Sequence, residues 1–281
     1  FASQKNWARA KEILAQNELN TEFKKIPSLE RNPDYTVNRP ITPEIFNLQY
    51  NNFYEFSAQK DNVWKLVDQF RTRPWQVEIA GMVEKPGVYD IDDLIRSMPV
   101  EERVYRHRCV ETWAMVAPWN GFPMRELIKK VQPRVAARFV KFISFLEPDV
   151  APGQRNYTKA PWPYVEGLTL DEADNELTFL ATGMYGHTLP PQNGAPIRLV
   201  VPWKYGFKSA KSIVKIEFTD RRPATFWNTL VPEEYGFEAN VDPGERHPRW
   251  SQRREKMIDS GDVFATVKYN GYGDFVADLY E

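Results

Sequence analysis

The apolar stretches of this chain are strand-sized. The longest, such as Phe139 to Phe145 and Ile197 to Pro202, run seven and six residues. That is far short of the roughly 20 residues a membrane helix needs, so regular structure should come largely as short strands, with no membrane span. Proline recurs at 22 positions and aromatic residues make up 14% of the chain. This composition points to a loop-rich mixed fold whose rings pack around something sizeable, and not to disorder. The 281 residues suffice for one large core, and a single domain over 1–281 is the simpler expectation. Lys and Arg number 37 against 38 Asp and Glu, so the net charge of −1 makes no electrostatic case for nucleic acid or an anionic membrane.

Residues 1–18 carry Trp7, Ala10, Ile13 and Leu14 at spacings of three and four, the pattern of one helical face. Between Phe23 and Pro43 lie Pro27, Pro33 and Pro40 among Asn and Asp, a composition suited to extended wrapping. Residues 1–43 are therefore expected to form a helix and an extended arm packed on the domain. Thr42, ahead of Pro43 and Glu44, has the form of a helix cap. Trp75 to Val83 alternates as a half-buried strand, and Lys85-Pro86-Gly87 turns it back towards Val88 and Tyr89. Asp90 can cap a short helix from Ile91 to Ser97, and Pro123 to Val131 forms another with Met124, Leu127 and Ile128 inward. Further strands are expected at Phe139 to Phe145, Leu177 to Ala181, Ile197 to Val201, Ser212 to Thr219 and Val263 to Tyr269. The fold class is α+β, with no internal repeat or low-complexity tract.

The one cysteine, Cys109, forbids an internal disulfide. By count alone it is a small buried hydrophobe or a thiol kept for its chemistry. Its setting, Tyr105-Arg106-His107-Arg108-Cys109-Val110-Glu111-Thr112-Trp113, puts cationic side chains just before it. Such neighbours favour the thiolate that attacks or binds metal, although strand alternation would send Arg108 to the opposite face. A cysteine hydrolase needs a histidine base, and His107, His187 and His247 stand in no recognisable nucleophile signature. Zinc needs several Cys or His ligands at suitable spacing, and none has it. A soft metal held largely by an organic cofactor needs only one protein thiolate, and that option suits a lone cysteine best.

The run Arg-His-Arg-Cys-Val-Glu-Thr-Trp, together with Trp119-Asn120-Gly121, Tyr185-Gly186 to Leu189-Pro190, Asn193-Gly194-Ala195-Pro196-Ile197-Arg198 and Pro202-Trp203-Lys204-Tyr205-Gly206-Phe207-Lys208, resembles the molybdopterin-binding domain of the sulfite oxidase family. With Asn51-Asn52-Phe53-Tyr54-Glu55 the pattern is similar to its bacterial protein-methionine-sulfoxide reductase branch. The resemblance implies a sulfite-oxidase-type fold of mixed β-sheets with surrounding helices and long loops, and molybdenum held by one molybdopterin with Cys109 as its protein ligand. It further implies cofactor contacts from Asn51, Tyr54, Glu55, Ser144, Asn193 and Arg198, and a phosphate cradle of Ser209, Ala210 and Lys211 that relies on backbone N–H groups and the lysine.

Sulfite oxidases follow their cysteine with a cationic sequence that suits a divalent anion, whereas this chain has Glu111, Thr112 and Trp113. A neutral sulfoxide tolerates that setting, with Trp113 or Trp119 near a thioether methyl and Glu111 shaping the pocket or relaying protons. The implied reaction is oxygen-atom transfer from methionine sulfoxide in oxidised periplasmic proteins. A sulfite-oxidase-like enzyme, another S- or N-oxide reductase and a cofactor-free binding module are the rivals. No haem-attachment or flavin fingerprint is present, so the resemblance points to a membrane haem-binding, quinol-linked subunit as electron donor. A periplasmic, twin-arginine-exported catalytic subunit is implied, monomeric because the chain ends at Glu281, short of the family's dimerisation domain.

Overall fold

The computed structural model describes residues 24–27 and 29–281. The helix expected over residues 1–18 lies outside the described residues. The arm beyond it is irregular and is tied down by isolated bridges of Lys25 to His187 and Arg31 to Glu102. It leads into the helix Glu44–Gln49, which Thr42 does not cap. Pro43 takes the N-cap without a side-chain bond, while Thr42 pairs with Val116 instead. Its N–H donates to Val116 O at 2.9 Å and its Oγ1 accepts the Val116 N–H at 3.0 Å. A buried backbone group must find a partner, and the strand took precedence over the cap.

Strands β1 (Gln76–Gly81) and β2 (Gly87–Asp90) form the expected hairpin, with Val77 and Ile79 fully buried. Asp90 accepts the N–H groups of Asp92 and Asp93 at 2.9 and 3.2 Å, a cap worth about 1 kcal/mol, and so starts the helix Ile91–Arg96. Next come β3 (Glu101–Arg108) and β4 (Trp113–Pro123), an antiparallel hairpin whose register runs from Glu101↔Gly121 to Arg108↔Ala114. Every residue of β4 after Trp113 is buried, so it lacks the alternation by which a strand is recognised in sequence. The helix Met124–Val131 follows, with Met124, Leu127 and Val131 inward.

The remaining strands are β5 (Phe139–Ser144), β6 (Val165–Thr169), β7 (Phe179–Met184), β8 (His187–Thr188), β9 (Arg198–Val200), β10 (Ile213–Thr219), β11 (Arg254–Met257) and β12 (Val263–Ala265). Two sheets result among the described residues: a five-stranded one ordered β2-β1-β10-β5-β6, and a seven-stranded one containing β12-β11-β4-β7-β8, with β3 on β4 and β9 on β7. The strand expected from Val263 to Tyr269 stops at Ala265, and the end of the expected span lies instead in the tight turn Lys268–Gly271, where Tyr269 and Asn270 take φ 53° and 55°. One apolar cluster draws on both sheets, with Ile79, Phe142 and Ile216 from the first and Phe122, Phe179 and Leu199 from the second. Among the described residues no helix is long and apolar enough to cross a membrane. The α+β architecture of mixed sheets, few helices and long connections is as expected.

Candidate active site

Cys109 opens the four-residue turn of the β3–β4 hairpin. Its N–H donates to Trp113 O at 3.0 Å, and the Thr112 N–H returns to Cys109 O at 2.9 Å. Closing so tightly places Thr112 at φ 75°, a conformation that a β-branched residue resists. The turn is held from behind. The Arg108 side chain, fully buried, pairs with Glu255 at 3.3 Å, donates to Gln252 Oε1 at 2.9 Å and Thr266 Oγ1 at 3.2 Å, and also reaches the Cys109 carbonyl. Trp250 Nε1–H and Gln252 Nε2–H each donate to Val110 O at 2.8 Å.

The cationic run before Cys109 therefore does not make it a free thiolate. Arg108 is committed to Glu255 and to the turn, and burial lowers His107 to about 3, with Arg198 and Lys211 adding to the effect, so its imidazole is neutral. Burial, followed by the Glu111 carboxylate, pushes the Cys109 thiol up to about 12, although the Glu111 N–H lies 3.4 Å from Sγ. A bound metal cation reverses that balance, since a coordinating thiol is deprotonated outright. Among the described residues no group of three or more His, Cys, Asp or Glu is placed to hold a metal ion. A metal at Cys109 would take its other ligands from outside the protein.

The thiol opens into a cleft. Its walls come from the segment after the helix Glu44–Gln49, from the β3–β4 turn and from the connection between β9 and β10. Asn51 Nδ2 donates to Asn47 O at 2.8 Å and Asn193 Nδ2 to the same carbonyl at 3.1 Å, so the end of that helix is capped by two amides. Each amide oxygen is left buried without a hydrogen-bond partner among the described residues, as is Asn52 Oδ1. Gly194, at φ 100°, permits the close pass of Lys211, whose Cβ would lie 2.7 Å from any Cβ added there.

Two cations share this part of the cleft. Arg198 is 4% exposed and donates to Asn193 O at 2.9 Å, and its guanidinium lies 4.9 Å from the Trp119 ring centroid. Lys211 Nζ donates to Asn52 O at 2.7 Å. Among the described residues neither has a carboxylate within ion-pairing distance, which excludes a surface salt bridge as the role of Arg198. Burial lowers Arg198 to about 9, still protonated at neutral pH, and burial with Arg198 nearby lowers Lys211 to about 7, while burial raises Glu55 to about 7. A buried guanidinium without a carboxylate is costly, so Arg198, with the partly buried Lys211 and the Glu55 carboxyl that acts on it alongside, fits an anion supplied from outside the chain.

Nearer Cys109 the character changes. Glu111 Oε2 accepts from Trp113 Nε1 at 3.2 Å and Asn52 Nδ2 at 3.4 Å and lies 3.8 Å from Sγ, while Oε1 pairs with Lys60 at 3.1 Å. Rings surround this group: Tyr50 against Trp113 at 5.6 Å, and Tyr54 against Trp227 at 5.0 Å.

Of the residues singled out from sequence, Cys109, Glu111, Asn51, Tyr54, Glu55, Asn193, Arg198, Ser209 and Lys211 all line the cleft. Ser144 and Ala210 do not. Ser144 ends β5, buried, with its Oγ unpartnered among the described residues and its N–H on the carbonyl of Tyr164, itself a lining residue. The backbone N–H groups of Ser209 and Ala210 are not presented as a cradle: they close turns onto Gly206 O and Lys208 O, each at 3.2 Å. Asn52, His107, Trp227 and Tyr235 line the cleft without having been singled out. Asn52 stood within a quoted motif, but Trp227 and Tyr235 come from a distant segment and carried no local signal.

A single thiol beside a buried arginine without a carboxylate, a lysine outside any salt bridge and orphaned amide oxygens describes an oxidoreductase site suited to a large anionic cofactor. Residues 64–227 match the oxidoreductase molybdopterin-binding domain family, and the chain belongs to that family. It is 52% identical, over 256 residues covering 89% of this chain and 76% of the relative, to the protein-methionine-sulfoxide reductase catalytic subunit MsrP of Burkholderia mallei. Among solved structures it is similar to the sulfane dehydrogenase SoxCD from Paracoccus pantotrophus, with a TM-score of 0.47 and 14% identity over 71% of this chain; it spans 51% of that chain's length. The residues fit the family's cofactor: Arg198 and Lys211 suit a phosphate, and the amides of Asn51, Asn52 and Asn193 suit the polar edge of a pterin.

Proposed function

We propose that this chain is a molybdopterin-dependent reductase of methionine sulfoxide in proteins. The observation that carries the reading is the division of one cleft into an unpaired cationic end and an aromatic end that meets at Cys109. Arg198, Lys211, Asn51 and Asn193 would hold the molybdopterin, and Cys109 Sγ would bind the molybdenum. When bound, this group supplies a two-electron redox couple that accepts an oxygen atom. In the net reaction the S–O bond of the sulfoxide breaks, sulfur gains two electrons, and the oxygen leaves as water with two protons.

We take Glu111, whose Oε2 lies 3.8 Å from Sγ and accepts from Trp113 and Asn52, as the group that relays a proton to the departing oxygen. Beside Cys109 the Glu111–Lys60 pair offers no net positive charge, so a dianion such as sulfite would lose its hydration uncompensated. A sulfoxide is neutral and pays no such penalty. The electrons come from a separate redox protein, in keeping with the catalytic-subunit name of the relative, and we take that donor to be a membrane haem-binding, quinol-linked subunit. Residence in the periplasm, with oxidised periplasmic proteins as substrates, completes the proposal.

The test is purification from a cofactor-competent host, metal analysis, and assays with reduced viologen. About one molybdenum per chain and turnover of methionine sulfoxide in an oxidised protein are expected. Robust oxidation of sulfite without sulfoxide reduction would overturn the reading in favour of a sulfite-oxidase-like enzyme.

A further inference from the structure

The aromatic side of the cleft joins several rings to the Cys109 turn. Tyr235 belongs to the same apolar cluster as Cys109 and Val110, with Trp113 and Trp227 packed against it. Trp227 stands 5.0 Å from Tyr54 at 79° and 5.1 Å from Tyr235 at 37°, and Phe207 meets Tyr235 edge-on at 5.2 Å. The segment carrying these rings is pinned by its own bonds. Val231 N–H donates to Trp227 O at 2.8 Å, Tyr235 N–H to Val231 O at 3.2 Å, and Asn228 Nδ2 to Tyr235 O at 2.7 Å. The backbone that carries the rings is therefore held by local hydrogen bonds.

The charges near these rings are paired among the described residues: Glu111 with Lys60 at 3.1 Å, and beside Tyr235 Glu234 with Arg249 at 2.6 Å. Such a surface suits a neutral group with a polarisable, apolar tip.

We propose that Trp227 and Tyr235, which line the same cleft as Tyr50, Trp113 and Cys109, form the specificity pocket that grips the CH3–S end of a methionine sulfoxide. This rests on the proposed reductase activity and adds to it the part of the substrate that is read. The physical basis is sulfur–aromatic contact together with burial of a methyl group, each worth on the order of 1 kcal/mol, so losing one ring face should weaken binding roughly tenfold. Such contacts are present in both the bound substrate and the transition state. They therefore appear in KM and leave kcat nearly alone.

The experiment uses the molybdenum-loaded enzyme and two peptides of identical sequence, one bearing a single methionine sulfoxide and one the non-reducible methionine sulfone. Trp227→Leu should raise KM for the first and the calorimetric Kd for the second roughly tenfold, with kcat within about twofold. Trp227→Phe should recover most of both. Tyr235→Leu and Tyr235→Phe repeat the contrast at the neighbouring ring, and they decide the matter if Trp227→Leu loses its molybdenum or its folded circular dichroism. KM and Kd unmoved in the leucine variants, or phenylalanine variants as impaired as the leucine ones, would overturn the pocket. If the wild-type enzyme fails to reduce the peptide at all, the reductase reading fails instead, and the two failures are separable in one set of assays.

Discussion

Lys208 and Lys211 stand three residues apart in one connection and look interchangeable in the sequence, yet they occupy opposite situations. Lys208 is buried and paired with Glu166 at 2.7 Å, just as Lys204, a turn earlier, is buried against Glu172 at 2.5 Å with Asn240 Oδ1 at 2.8 Å. Tyr280 adds a donor to the same Glu172 oxygen at 2.7 Å, stapling the end of the described chain to the core. Arg198 is buried like these lysines yet has no carboxylate within ion-pairing distance among the described residues, and Lys211, only partly buried, forms no salt bridge there either, although the charge of the buried Glu55 acts on it. The difference teaches how to tell a structural cation from a binding one. The first kind is neutralised by the fold, and the second is left for a ligand to neutralise.

Four perturbations would break or sharpen that comparison. The largest effect is expected where the ligand's metal would attach: Cys109→Ala should reduce sulfoxide turnover on the order of 10³-fold or more. Retention of a tenth of the wild-type rate in steady-state assays would remove Cys109 from the site. Next comes the structural pair. Lys204→Met strands Glu172 in the core and should cost about 3–5 kcal/mol in urea unfolding of the cofactor-free protein, and a loss below about 1 kcal/mol would erase the contrast.

Arg198→Met should act in the opposite direction, because no buried carboxylate loses its partner. The cofactor-free protein is expected to gain about 1–2 kcal/mol while molybdopterin content after expression falls sharply. Destabilisation comparable to that of Lys204→Met would show that Arg198 is structural as well. The smallest effect tests the turn itself: Thr112→Gly relieves the left-handed strain at φ 75° and should raise stability by roughly 0.5–1 kcal/mol, read from the same unfolding curves.

Much of the architecture was legible because it is locally encoded. The β1–β2 hairpin follows from alternation and a Lys85-Pro86-Gly87 turn, and the Ile91–Arg96 helix follows from its Asp90 cap; both effects act within a few residues. The β3–β4 hairpin carrying Cys109 was not legible, since burial on both faces of β4 erased its period. Thr42 misled for a related reason: its hydroxyl could satisfy either a helix or a strand, and only the position of Val116 decided between them.

The same division runs through the site. By itself the sequence determined which chemistry was possible: one cysteine, too few histidines at metal spacing, and a resemblance that pointed to Asn51, Asn193, Arg198 and Lys211 as cofactor contacts. It also placed Glu111 and Trp113 next to the thiol, because residues two and four positions along one turn cannot be far from it. Only the tertiary structure decided that Arg108 anchors the turn instead of activating the thiol, that Lys208 is neutralised while Lys211 is not, and that Trp227 and Tyr235 complete the aromatic wall. Pairing, burial and ring contact depend on which distant segment arrives as a neighbour, and no local spacing records that.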